Sequence, residues 1–213
     1  SLRAVIAKNY LIKKKISFEK KYDICLISEP HLMLNTDGFK KTVNPHKHLA
    51  SIADFTIKFC KKHNKKLVFS GKADLEKNND KNAELIFYEN NLSEKNFTIN
   101  FSKRKEFGTY KNIIQSELVI GFNTSCLRES FGLNRKTLCC DFANSEDTRF
   151  PGKGIHILNE SNFHNFEERV LKLLEIDYEE YLLNIKNLNA VYNKNADTMK
   201  VLPKDMEPYQ KEI

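Results

Sequence analysis

The sequence predicts a three-layer α/β domain with a mostly parallel sheet of about six strands between two sets of helices. Three observations lead there. Six short apolar runs recur along the chain, and most do not alternate polar with apolar, which is how strands buried on both faces read. Segments with helical apolar spacing fall between them, and such alternation argues for right-handed βαβ crossovers. The chain has 213 residues, 40% hydrophobic and 30% charged, which is long and apolar enough to bury a core and too apolar for a disordered chain. The expected organisation is a basic lead-in over 1–21, a Rossmann-like domain over 22–175, and a C-terminal helix and tail over 176–213.

In chain order, the lead-in reads as a strand over Arg3–Ala7 or as a helix, belonging to a missing neighbour. The expected strands are Asp23–Ser28, Lys66–Ser70, Phe97–Phe101, Leu118–Phe122, Thr137–Asp141 and Gly154–Leu158, all rich in Ile, Val, Leu, Phe or Cys. His46–Lys62 carries Leu49, Ile52, Ala53, Phe55, Thr56, Ile57, Phe59 and Cys60 on a broad apolar stripe. Lys81–Leu92 carries Ala83, Ile86, Phe87 and Asn90 on one side, and the short Thr109–Gln115 carries Tyr110, Ile113 and Ile114. Ser125–Phe131 opens under Thr124 or Ser125, both good caps, and Gly132 stops it. Ser161 caps Asn162–Leu174, where Phe163, Phe166, Val170, Leu173 and Leu174 recur at helical steps. Asp177 caps a last helix, Tyr178–Tyr192.

Composition excludes several classes. No apolar run approaches the ~20 residues of a membrane span, and no secretory signal opens the chain. Beginning at Ser1 rather than Met, it reads as a processed or trimmed piece. The five cysteines (Cys25, Cys60, Cys126, Cys139, Cys140) show no C-x-x-C or zinc spacing, so they read as reduced thiols in a cytoplasmic protein. The net charge is +7, but of 35 basic residues 29 are Lys and 6 are Arg. Base-edge readout leans on Arg, so nucleic acid is not the expected partner. Anionic small ligands, or peripheral contact with an anionic (inner) membrane face, are.

In open parallel sheets, ligands sit beyond the C-terminal strand ends, where loops feed helix N-termini. After the fourth strand come Asn123, Thr124 and Ser125 at a helix start, where free amides, hydroxyls and the helix dipole favour phosphate. Arg128 and Glu129 follow one turn on. The first strand leads into Glu29 and His31, weak candidates for a catalytic base, and a long loop. Gly71-Lys72, read as following the second strand, combine close backbone approach with a cation for a diphosphate. After the fifth strand, Arg149 and Lys153 are candidate anion contacts. No P-loop and no G-x-G-x-x-G is present. No carboxylate pair has convincing metal spacing, so no obligatory cofactor or metal is expected.

The stretch YKNIIQSELVIGFNTS, Tyr110 to Ser125, resembles the "y-x-x-i-x-x-s-d-x-v-i-x-x-x-S-T/S" segment of GT-B glycosyltransferases. Leu127 to Leu138 resembles their "x-x-E-a-x-x-x-g-k-k-v-l" continuation. The similarity is greatest to bacterial surface-carbohydrate and capsule polysaccharide enzymes, including Kdo- and sialic-acid-transferring types. The resemblance implies the C-terminal, donor-binding half of such an enzyme, with a CMP-, UDP- or GDP-linked nucleotide-sugar bound. It implies donor phosphate on Thr124 and Ser125, and ribose or sugar hydroxyls on Glu129. A glycan or lipid-linked acceptor and an N-terminal domain absent from this chain would complete the transferase. Two alternatives stand beside it. One is a sugar-nucleotide epimerase or polyol-phosphate transferase on the same fold; the other is a non-catalytic nucleotide- or phosphate-binding interaction domain.

Overall fold

Strand β1 (Tyr22–Ile27) is the middle of the sheet, and its side chains show why. Ile24 lies level with Leu67 on one side and Leu118 on the other, Cys25 between Val68 and Val119, and Leu26 between Phe69 and Ile120. Ile24, Cys25 and Leu26 are buried, because both faces of the sheet are covered. The computed structural model describes residues 2–29, 45–122, 124–142, 150 and 153–186.

The remaining strands are β2 (Leu67–Asp74), β3 (Ile99–Ser102), β4 (Ser116–Gly121), β5 (Lys136–Cys140), β6 (Lys153–Gly154), β7 (Ile157–Leu158) and β8 (Ile185–Lys186). The six-stranded sheet has the order β3-β2-β1-β4-β5-β7, and every pairing in it is parallel. This is the predicted α/β, Rossmann-like arrangement. The strand order reverses direction between β1 and β4, which places a crevice beyond their C-terminal ends.

Helices α1 (Leu2–Lys13), α2 (Pro45–Lys62), α3 (Asn78–Asn91), α4 (Gly108–Ile114), α5 (Ser125–Gly132), α6 (Phe163–Glu175) and α7 (Tyr178–Leu183) flank the sheet. On one side α2 contacts α3 and α6, with Phe55 and Phe59 packed on Phe166. On the other, α4 joins α1 to α5. The lead-in is helical: Ala4, Ala7 and Leu11, spaced to share one helix face, close against Tyr110 and Ile114 of α4. Tyr181 of α7 stacks on Phe131 of α5 and exchanges hydrogen bonds with Thr137 at the start of β5.

Several expected boundaries change. Asn162, not Ser161, caps α6, accepting the His164 and Asn165 amides. Helix α3 begins at Asn78 rather than Lys81, and β3 covers Ile99–Ser102 rather than Phe97–Phe101. The sixth strand, expected as continuous over Gly154–Leu158, is split. Gly154 sits at φ +143°, a turn follows, and only Ile157–Leu158 joins the main sheet. Lys153–Gly154 pairs instead with β8, antiparallel. The last helix ends at Leu183 rather than running to Tyr192, because Asn184 caps it and Ile185 is buried through the β6 pairing. Residues 187–213 lie outside the described residues. Strand β2 runs four residues past Ser70, to Asp74, which alters the reading of Gly71 and Lys72 below. No helix among the described residues is long and apolar enough to cross a membrane.

Candidate functional site

Beyond the C-terminal ends of β1, β2, β3 and β4 the sheet opens into a cavity of about 580 Å³. It lies over the β1/β4 reversal. Ser28 and Glu29 enter from β1, Lys72 and Ala73 from β2, Thr124 and Ser125 from β4, and Tyr110 from α4.

The α5 N-terminus is built by Thr124. Its backbone is extended (φ −101°, ψ 149°), and its side chain accepts a hydrogen bond from the Cys126 amide at 3.3 Å. Its carbonyl takes the Leu127 and Arg128 amides. Thr124 is thus the cap, and it is buried. Ser125, exposed at the first helical position, keeps its amide and hydroxyl unpaired among the described residues. The positive end of the helix dipole adds to these donors.

Lys72 lines the same cavity as Ser125 and forms an ion pair with Glu29 at 3.0 Å. Both are partly or wholly buried, and Glu29 keeps only 9% of its side-chain surface. The backbone around Lys72 is held from behind. Glu84 of α3, 2% exposed, accepts the Lys72 amide at 3.0 Å and the Ala73 amide at 2.8 Å. These amides lie where the β2–β3 register shifts between Ser70 and Asp74, so a side chain fills the partner's place.

The expected role of Gly71 changes here. Gly71 lies inside β2, and a Cβ there would come within 2.4 Å of the Phe101 ring and 2.8 Å of Ile99. The glycine makes room for β3 side chains. Lys72 therefore projects from a strand end, not from a loop.

The other sequence candidates are distributed as follows. Glu129 accepts a hydrogen bond from Tyr110 at 2.5 Å, so its carboxylate is engaged with α4. Arg128 lies over the Phe150 ring at 5.9 Å and does not line the cavity. Lys153 is on the β6–β8 ribbon and does not line the cavity. His31, Asn123 and Arg149 lie outside the described residues. Thr124, Ser125, Lys72 and Glu29 are the candidates that share the cavity.

Four groups in or behind the wall were not anticipated: Arg3, Lys103, Arg104 and Glu84. The Lys103-Arg104-Lys105 run directly follows β3, and such a charge run at a strand's C-terminal end was the signal available. Phe107, at the start of α4, adopts a left-handed backbone (φ 52°, ψ 36°) and contacts both Tyr10 and Tyr110. A non-glycine residue there costs of order 1–3 kcal/mol and persists only where packing holds it. Among the described residues no group of three His, Cys, Asp or Glu side chains could hold a metal ion.

Burial raises the pKa of the buried tyrosine and thiol groups, making them weaker acids. Tyr110 is pushed above its ordinary range by burial and then by the Glu129 hydrogen bond, so it stays a neutral donor. Burial also pushes the Cys126 thiol up to about 11, with Glu129 and Glu29 adding to the shift. Cys25, Cys139 and Cys140 are buried and raised further. The thiolate is the reacting form. Alkylation of the native chain at pH 7.5 is therefore expected to be slow at every cysteine. Its rate should rise about tenfold per pH unit toward 11, with Cys126 modified first, as peptide mass spectrometry would read. Fast labelling at neutral pH would contradict this burial.

No protein-family description matches the sequence, and no curated protein matches it. Among the solved structures that resemble the chain are the following three. A candidate UDP-N-acetylglucosamine 2-epimerase from Listeria monocytogenes has a TM-score of 0.48 and 11% identity, over 93% of this chain and 48% of that one. UDP-GlcNAc 2-epimerase from Neisseria meningitidis, bound to UDP-GlcNAc, has a TM-score of 0.46 and 16% identity, over 92% and 52%. The wall teichoic acid polymerase TagF has a TM-score of 0.26 and 12% identity, over 96% and 49%. The chain spans about half the length of each.

Proposed function

We propose that this chain is the donor-binding half of a GT-B-type sugar-nucleotide enzyme, holding a nucleotide-sugar by its phosphates in the β1/β4 crevice. The observation that carries this reading is the convergence of Ser125, unpaired at the α5 N-terminus, and Lys72 on one cavity at the sheet's switch point. The GT-B motif likeness between Tyr110 and Leu138 falls on the same α5 N-terminus.

The chemistry follows from where charge develops. When the bond from sugar to phosphate breaks, negative charge collects on the phosphate oxygens. The Ser125 amide and hydroxyl, the α5 dipole and the Lys72 ammonium are fixed before that moment, so they stabilise the leaving group without reorganising. Glu29 holds Lys72 in place by its ion pair and lines the same cavity. It is also the described candidate for accepting a proton from an acceptor hydroxyl. The transferred sugar passes to a glycan or lipid-linked acceptor presented by a second domain.

Replacing Ser125 with alanine should weaken nucleotide affinity about tenfold, the worth of one charge-assisted hydrogen bond. Lys72→Ala should cost more, because it also leaves Glu29 uncompensated beside the phosphates. Saturation-transfer NMR against CMP, UDP, GDP and ADP, with and without magnesium, reads both variants. Unchanged affinity in both would overturn the site.

A further inference from the structure

Arginine is scarce in this chain, with 6 against 29 lysines, and most of the described arginines have structural work. Arg135 donates to the Ile114 and Asn134 carbonyls, Arg169 donates to the Ile155 and Ile157 carbonyls, and Arg128 lies over Phe150. Arg3 and Arg104 are different. Both line the 580 Å³ cavity, and both also line a wider groove of about 1100 Å³ to which Leu2 and Ile6 of α1 contribute.

Neither has a hydrogen-bond or ion-pair partner among the described residues. Their neighbour Lys103 is paired with Glu76 at 2.8 Å, and Lys72 with Glu29. Arg3 is laid over the Tyr110 ring at 5.9 Å, a contact that fixes the guanidinium plane and leaves its edge N–H groups unused. Two exposed guanidinium forks lining one cavity, neither paired among the described residues, suit a planar or tetrahedral oxyanion bound bidentately, which lysine serves poorly.

We infer that Arg3 and Arg104 form a second anion subsite, distinct from the phosphate site at Ser125 and Lys72. It takes a carboxylate or phosphate carried by the transferred sugar or by the acceptor. The inference rests on the reading of the cavity as a nucleotide-sugar site. It narrows the substrate class to one bearing an anionic group beyond the nucleotide's own phosphates. It also makes α1 part of the site, since α1 carries Arg3 there by packing Ala4, Ala7 and Leu11 on α4.

The test titrates the 15N-labelled chain with inorganic phosphate and follows two sets of NMR signals. One set is the Arg3 and Arg104 side-chain Nε–H groups; the other is the Ser125 and Cys126 amides. Saturable shifts of the arginine signals are expected, with an apparent dissociation constant at least tenfold higher in Arg3→Gln/Arg104→Gln. Arg3→Lys/Arg104→Lys, which keeps the charge and removes the fork, should recover little of the loss. Shifts at Ser125 alone would overturn the second subsite and leave the first standing. Shifts at the arginines alone would do the reverse, and shifts at neither would remove both. Glucuronate and glucose 6-phosphate, with glucose as the neutral control, then separate the two oxyanions. The one that saturates the arginine signals at lower concentration names the group, and a failure of both to move them overturns the proposal.

Discussion

Replacing Glu84 with alanine is expected to cost about 3–5 kcal/mol of stability and to disable the cavity at once. The size follows from what the carboxylate holds. It is 2% exposed, and each oxygen accepts one backbone amide, from Lys72 and Ala73. Both amides lie where the pairing of β2 with β3 shifts register, so β3 cannot replace the lost acceptor. A buried donor left unmatched costs roughly 1–3 kcal/mol, and bonds to a charged acceptor lie toward the upper end. Glu84→Gln keeps one acceptor but turns an amide NH₂ toward a backbone N–H, and should lose about half as much. Urea denaturation followed by circular dichroism reads both variants. A loss below 1 kcal/mol for alanine would show that these amides find other partners.

Lys136→Ala should cost about 2–4 kcal/mol. The side chain is 2% exposed at the start of β5, and its Nζ donates to the Ile176 carbonyl at 2.6 Å and to Glu117 at 2.8 Å. It thereby ties the sheet to the junction of α6 and α7. Removing one member of a buried pair typically costs 3–5 kcal/mol. Here Glu117 is partly exposed and also paired with Lys20, which lowers the figure.

The pH dependence has a definite sign. Burial lowers the Lys136 pKa from 10.5, with Asp177 opposing. Between the lowered native value and 10.5 the unfolded chain binds more protons than the native one. From this group, stability therefore rises with pH in that window. Lys136→Met removes that contribution, so the stability difference between wild type and variant should widen as pH climbs from 8 toward 10. A difference that narrows would contradict the assigned burial.

Much of the sheet was legible because its strands are local apolar runs. DICLIS could hardly be anything but a strand buried on both faces, and KLVFS and LVIGF read likewise. The end of β2 was not legible. Gly71 signals a strand's end in sequence, whereas here it yields space to Phe101 across the pairing, a contact no local pattern reports. The split of the sixth strand depends in the same way on β8, which lies far along the chain.

The site divides along similar lines. Thr124 and Ser125 were visible because a hydroxyl pair between a strand and a helix is a local signature. Glu84 reads in sequence as one polar position on a helix, and only the β2 irregularity gives it a task. Arg3 and Arg104 are distant in the chain and line one cavity because α1, which carries Arg3, packs on α4. Their separation hid them more thoroughly than their chemistry did.

The central claim is that the crevice over β1 and β4 holds a nucleotide's phosphates. The most direct measurement is a backbone-amide NMR titration of the 15N-labelled chain with the nucleotide that gives the strongest saturation transfer, or with inorganic pyrophosphate if none does. The account predicts saturable shifts centred on Ser28, Lys72, Ser125 and Cys126, abolished in Ser125→Ala/Lys72→Ala with the rest of the spectrum unchanged. Shifts elsewhere on the surface, or none at millimolar pyrophosphate, would contradict it.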